Sequence, residues 1–152
     1  MERRGHLKVP VIGVARSDWT IEKFRARALA SVKNVDGFDA AVFTKFQKRL
    51  RYVSGDYSSA ATHAALRNEL GRSAHPLHFL AIPPTVFAGV IKGLGQSGCA
   101  RGARIILEKP FGRDLPSAQA LSATLHNVFD SSLIRHPPRR YTGILKCGAL
   151  RE

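Results

Sequence analysis

The chain has 152 residues, 44% of them hydrophobic and 8% aromatic, which suits one domain with a real core and excludes a disordered polymer. No apolar run approaches the ~18 residues of a membrane-spanning helix, and the first one, PVIGVA, is too short for a signal peptide, so the cytoplasm is the default location. The formal net charge of +13 points to an anionic partner, whether nucleic acid, an acidic surface or a phosphorylated small molecule, although a solvated basic face fits the same charge.

The run VPVIGVA (9–15) is apolar and rich in β-branched residues, the pattern of a strand buried on both faces. A helix is predicted over 17–33, with Phe24, Ala28 and Val32 at four-residue spacing and Ser17 or Asp18 as N-cap. A second helix fits 40–48, carrying Val42, Phe43 and Phe46 on one face. RLRYVSG (49–55) closes as a short strand, and Gly55-Asp56 makes a turn. Asp56 or Ser58 then caps a helix that runs to about Leu70 and ends at Gly71.

LHFLAI (77–82) is another buried strand, stopped by Pro83-Pro84. The segment 85–96 is helical in pattern, ARIIL (103–107) is the next strand, and Asp114 caps a helix with Pro116 in its first turn. That helix has a stripe of Leu115, Ala118, Leu121, Leu125, Val128 and Phe129. Strands alternating with helices give an α/β fold with a mainly parallel sheet. After Asp130 the periodicity stops, and the segment 131–152 reads as a basic, irregular tail.

Cys99 and Cys147 are the only cysteines, and the six histidines form no HExxH, so neither a disulfide framework nor a metal site is expected. GLGQSG (93–98) fits the letters of the dinucleotide fingerprint GxGxxG. The preceding Pro-Pro-Thr reads as a helix start, however, and the glycines read as that helix ending in a loop. Two other stretches carry more chemistry. In GVARSDW, Arg16 and Ser17 stand at a strand end, where an Arg can take the 2′-phosphate of NADP; on position alone, an ordinary exposed arginine after a strand is the commoner case. In ILEKPFGRDL, Lys109 follows a buried strand at the end where open α/β sheets bind ligands, and an ordinary strand-turn-helix junction is the competing reading.

Taken together, IGVARSDWT, YVSGDY, FLAIPPTVF and EKPFGRDL resemble the N-terminal coenzyme domain of glucose-6-phosphate dehydrogenase, in that family's order and spacing, from about Arg4 to Phe129. The resemblance implies an oxidoreductase of glucose metabolism and the pentose phosphate pathway, in which NADP takes a hydride from glucose 6-phosphate to give the lactone. It implies that Arg16 and Ser17 hold the 2′-phosphate of NADP, and that Ala81, Ile82, Pro83 and Pro84 line its ribose and pyrophosphate. By the same analogy Tyr57 lies near the coenzyme. Lys109 touches both the sugar and the nicotinamide end, with Glu108 and Pro110 setting the strand terminus. The family is homo-oligomeric.

Two features of the family are not found. Its opening strand and GxxGDLxxRK loop have no counterpart here, and Met1 to Lys8 resemble only the end of the helix that follows them. Where the family has an RIDHYLGKE segment, this chain reads IRHPPRRYTGILKCGALRE. The larger substrate domain with the catalytic histidine is likewise unmatched. The expectation is an incomplete doubly wound, Rossmann-like parallel sheet with flanking helices. Residues 1–130 form a partial NAD(P)-binding domain and 131–152 a tail. The strands 9–15 and 77–82 lose the partner that lies between them in the order 3-2-1-4-5, unless they pair with each other. A truncated, inactive fragment follows, with no catalytic residue of its own. The alternatives are a basic nucleic-acid-binding module, weak and without sequence specificity, or a non-functional translation product.

Overall fold

The computed structural model describes residues 4–107 and 114–135. It divides the chain into two compact units, Met1–Gly55 and Asp56–Glu152. The fold is α/β, and every strand pairing among the described residues is parallel.

In the first unit, β1 (Val11–Ala15) pairs with β2 (Leu50–Ser54), from Val11 opposite Leu50 to Ala15 opposite Ser54. The crossover contains α1 (Ile21–Val32) and α2 (Ala40–Gln47). Phe24 and Ala28 of α1, Phe43 of α2 and Leu50 of β2 form the core, flanked by Trp19, Ile21, Val32, Phe38, Phe46 and Tyr52. Phe24 lies so close over Gly13 that a Cβ there would sit 2.6 Å from its ring. Glycine in this strand is therefore a packing requirement.

The second unit begins with α3 (Ala60–Leu70), ended by Gly71 at a φ of 54°. Next come β3 (Leu77–Leu80), a 3-10 turn (Pro84–Val86) and α4 (Phe87–Gln96). They are followed by β4 (Arg104–Leu107), α5 (Leu115–Val128), a second 3-10 turn (Ser131–Leu133) and β5 (Ile134–Arg135). The sheet order is β3-β4-β5. Ile105 and Leu107 of the central strand are fully buried, as are Phe87, Ile91 and Cys99. Ile134 pairs with Ile105, so five residues past Asp130 take regular structure although their sequence has no period. The strand β4 supplies the hydrogen-bonding edge that the local sequence does not announce.

Several expectations shift by a few residues. Thr20 caps α1 in place of Ser17 or Asp18, its hydroxyl accepting from the Lys23 N–H at 3.3 Å. Ser59 occupies the α3 cap position without a side-chain bond, because Asp56 instead accepts from the Ser58 N–H within the preceding turn. Asp114 caps α5 in a reciprocal box with Ser117, but Leu115 is 70% exposed and does not join the stripe. Burial of β1 on both faces does not hold, since only Gly13 is buried and Val11 is 37% exposed. Pairing on one side only makes β1 an edge strand among the described residues, and an edge collects less cover. Similarly, β3 pairs only with β4, and Leu77 is 59% exposed. The strands β1 and β3 belong to separate ladders.

GLGQSG is a helix end. Gly93 and Gly95 lie inside α4, and Gly98 follows it at a φ of 75°. No helix among the described residues is long and apolar enough to cross a membrane.

Candidate coenzyme site

Arg16 is the exposed residue directly after β1, and Ser17 is half-buried beside it. The turn they start is held by its backbone. The Ser17 carbonyl accepts from the Tyr52 hydroxyl at 2.7 Å, the Ser54 hydroxyl at 3.0 Å and the Trp19 N–H at 2.9 Å. Gly55 N–H donates to the Ala15 carbonyl at 2.9 Å and continues the ladder past the strand. Tyr52 is fixed in turn between Phe24, with ring centroids 5.0 Å apart, and Trp19, stacked at 6.2 Å.

The Ser17 hydroxyl itself has no partner among the described residues. A guanidinium and a free hydroxyl therefore stand on consecutive residues of a pinned turn, at the strand end where such sheets bind ligands. That donor set fits a phosphate monoester. Glu22, the acid of the first turn of α1, is already engaged: its own backbone N–H and the Thr20 side chain hold its carboxyl below the usual range.

In the second unit, Ala81 and Ile82 are half-buried just past β3, and Pro83 and Pro84 are exposed. Pro84 opens the 3-10 turn, closed by the Val86 N–H on the Pro83 carbonyl at 3.1 Å, and α4 follows at once. The two prolines fix φ and remove backbone donors. The result is a stiff apolar ledge at the carboxyl end of a parallel strand. Tyr57 is half-buried in the turn before α3. Lys109, Glu108 and Pro110 lie outside the described residues. Arg16 and Ser17 thus stand together at one strand end, and Ala81 to Pro84 at another.

Sequence reasoning missed the residues that brace the turn. Tyr52 and Ser54 alternate with Val53 on β2, and the period-two pattern of LRYVS was the signal that placed them on the face away from Val53. It also missed two buried histidines. The ring of His78 bonds through Nε2 to the Cys99 carbonyl at 2.9 Å and meets Phe129 edge-on at 6.3 Å. Burial pushes its pKa down, with that bond opposing the shift. His63 is 6% exposed and packs directly beneath Gly93.

Comparison with known proteins bears on this arrangement. The family model described as the NAD binding domain of glucose-6-phosphate dehydrogenase matches residues 1–135. Glucose-6-phosphate 1-dehydrogenase 1 of Mycobacterium bovis is 34% identical over 134 residues, covering 88% of this chain and 29% of that protein. A crystal structure of the Mycobacterium avium glucose-6-phosphate 1-dehydrogenase aligns with a TM-score of 0.83 at 38% identity, over 90% of this chain and 30% of that one. A glucose-6-phosphate dehydrogenase solved in complex with glucose 6-phosphate aligns with a TM-score of 0.77 at 29% identity, over 90% and 31%. The chain spans under a third of the length of these relatives. With parallel strands, a braced β1 turn and a family match over 135 residues, this chain belongs to the NAD-binding-domain family of the glucose-6-phosphate dehydrogenases.

Proposed function

We propose that these residues serve as the coenzyme-binding part of a glucose-6-phosphate dehydrogenase and that the coenzyme is NADP. When bound, NADP supplies the hydride acceptor for oxidation of glucose 6-phosphate. Arg16 gives its 2′-phosphate a guanidinium fork and Ser17 gives it a hydroxyl donor. Ala81, Ile82, Pro83 and Pro84 form the apolar ledge against its ribose and pyrophosphate side. Lys109 contributes a cation for the sugar phosphate and the nicotinamide end. The partial NAD(P)-binding domain, expected over 1–130, is taken to extend to Arg135, where β5 pairs with β4. No residue of this chain is proposed as a catalytic base, so the 152 residues expressed alone are expected to bind coenzyme without turning over sugar.

The observation that carries this reading is the turn at Arg16 and Ser17, whose carbonyl is held by three donors. Such bracing lets two donors meet a phosphate without first being ordered. The test is a thermal unfolding curve with and without NADP. A cooperative transition whose midpoint rises with NADP, and rises less in Arg16→Ala, supports the proposal, because only native-state binding moves the midpoint. A broad transition indifferent to NADP sinks it.

A further inference from the structure

Residues 16–22 carry one cation, Arg16, against two carboxylates, Asp18 and Glu22. Both acids are exposed, and Glu22 stays ionised because its own backbone N–H and the Thr20 side chain favour the charged carboxyl. A phosphate monoester brings about −1.5 to −2 charges near pH 7. With a single guanidinium against two acids, this stretch repels the very group that Arg16 and Ser17 are proposed to hold. The balance turns on the next cation along the chain.

That cation is Lys23, in the first turn of α1, where its backbone N–H donates to the Thr20 hydroxyl at 3.3 Å. The helix dipole favours acids at this end and disfavours an ammonium, so the position costs stability. The Lys23 Nζ lies over the Trp19 ring, 5.7 Å from its centroid and within cation–π range. Trp19 stacks in turn on Tyr52 at 6.2 Å, and the Tyr52 hydroxyl holds the Ser17 carbonyl at 2.7 Å. The Trp19 N–H closes back on that same carbonyl at 2.9 Å. The ammonium and the Ser17 turn therefore share one aromatic support. Among the described residues the ammonium has no hydrogen-bond or ion-pair partner. The following cation, Arg25, is committed elsewhere, its Nε–H donating to the Gln47 carbonyl at the end of α2 at 3.0 Å.

We propose, on the coenzyme reading above, that Lys23 is a further specificity-determining residue, its ammonium moving from the Trp19 ring onto the 2′-phosphate held by Arg16 and Ser17. Its four-carbon stem permits that movement without any change in the helix. Two cations then meet the phosphate while the exposed carboxylates stay in water. Trp19 is the single tryptophan of the chain, so its emission reports the ammonium leaving the ring. The test is titration of the whole chain with NADP and with NAD, read by calorimetry and by Trp19 emission. NADP is expected to change the emission saturably, and NAD to leave it nearly constant. Lys23→Gln should weaken NADP about fivefold, the upper range for an exposed ion pair, with NAD affinity unmoved and the emission change lost. Lys23→Arg should restore most of the NADP affinity. Arg27→Gln, an equal loss of charge at an exposed position of α1, should leave both affinities as they were. Unchanged NADP affinity in Lys23→Gln, an equal loss for NAD, or an equal loss in Arg27→Gln would overturn the proposal. If Arg16→Ala weakens NADP and Lys23→Gln does not, the coenzyme reading stands and the role of Lys23 falls. If the unaltered chain binds no NADP, both fall.

Discussion

On the proposed reading, Arg16 and Ser17, reinforced by Lys23, are the side chains on which coenzyme choice rests, because NAD carries no 2′-phosphate for them to meet. Replacing Arg16 with Ala removes a charge-assisted contact worth about 1.5–3 kcal/mol. NADP affinity measured by calorimetry should then fall roughly 10- to 100-fold, while NAD affinity is largely unmoved. At His78 the consequence is one of pH. Its folded pKa is held below the unfolded value, so the native state binds fewer protons than the unfolded chain. The stability it contributes is whole above the ordinary value of 6.5 and drains away as pH falls from there toward the depressed folded pKa. Midpoints of urea unfolding taken stepwise from neutral pH downward should show this loss. His78→Gln keeps a donor for the Cys99 carbonyl and should flatten the slope.

At the scale of elements, two close approaches set what can be changed. His63 fills the space beside Gly93 that a side chain would need, so Gly93→Ala forces the ring or the helix to shift. The expected cost is about 1–3 kcal/mol, as for other overpacked cores, and denaturant unfolding measures it. On β2, Tyr52→Phe keeps the ring stack and removes the hydroxyl from the Ser17 carbonyl, costing ~1 kcal/mol. If the braced turn is what readies Arg16, that variant should also weaken NADP binding severalfold. The caps show how local signals can point one or three residues astray. Ser17 has the right chemistry to cap α1, but its carbonyl is drawn to Tyr52 and Ser54 across the sheet, and Thr20 starts the helix instead. Competition from another strand cannot be read from the nearest four residues. In contrast, α5 was fully legible at its start, because the reciprocal box between Asp114 and Ser117 is made within four consecutive residues.

For the whole molecule, charge is the property composition fixes most directly. A net charge of +13 opposes compaction through self-repulsion. The unfolding midpoint should therefore rise as salt goes from about 0.01 M to about 0.15 M, where the screening length shortens from ~30 to ~8 Å. A flat or falling midpoint would mean that favourable charge contacts dominate. Within each unit the core has its own logic. The first packs Phe24, Ala28, Phe43 and Leu50 around a two-stranded ladder, and the second buries Ile105 and Leu107 in the middle of three strands.

The sequence by itself determined the order of strands and helices, the identity of α4 behind its glycines, and the donors placed at the end of β1. Each of these is a local matter of apolar period, proline and glycine geometry, or residue type at a strand end. Only the tertiary structure decided that β1 and β3 are edge strands among the described residues, and that Ile134 and Arg135 pair with β4. It alone showed that Tyr52 holds Ser17. Those outcomes depend on contacts between residues 21 or more positions apart, such as Tyr52 with Ser17 or His78 with Cys99, and no window of sequence contains both partners' surroundings.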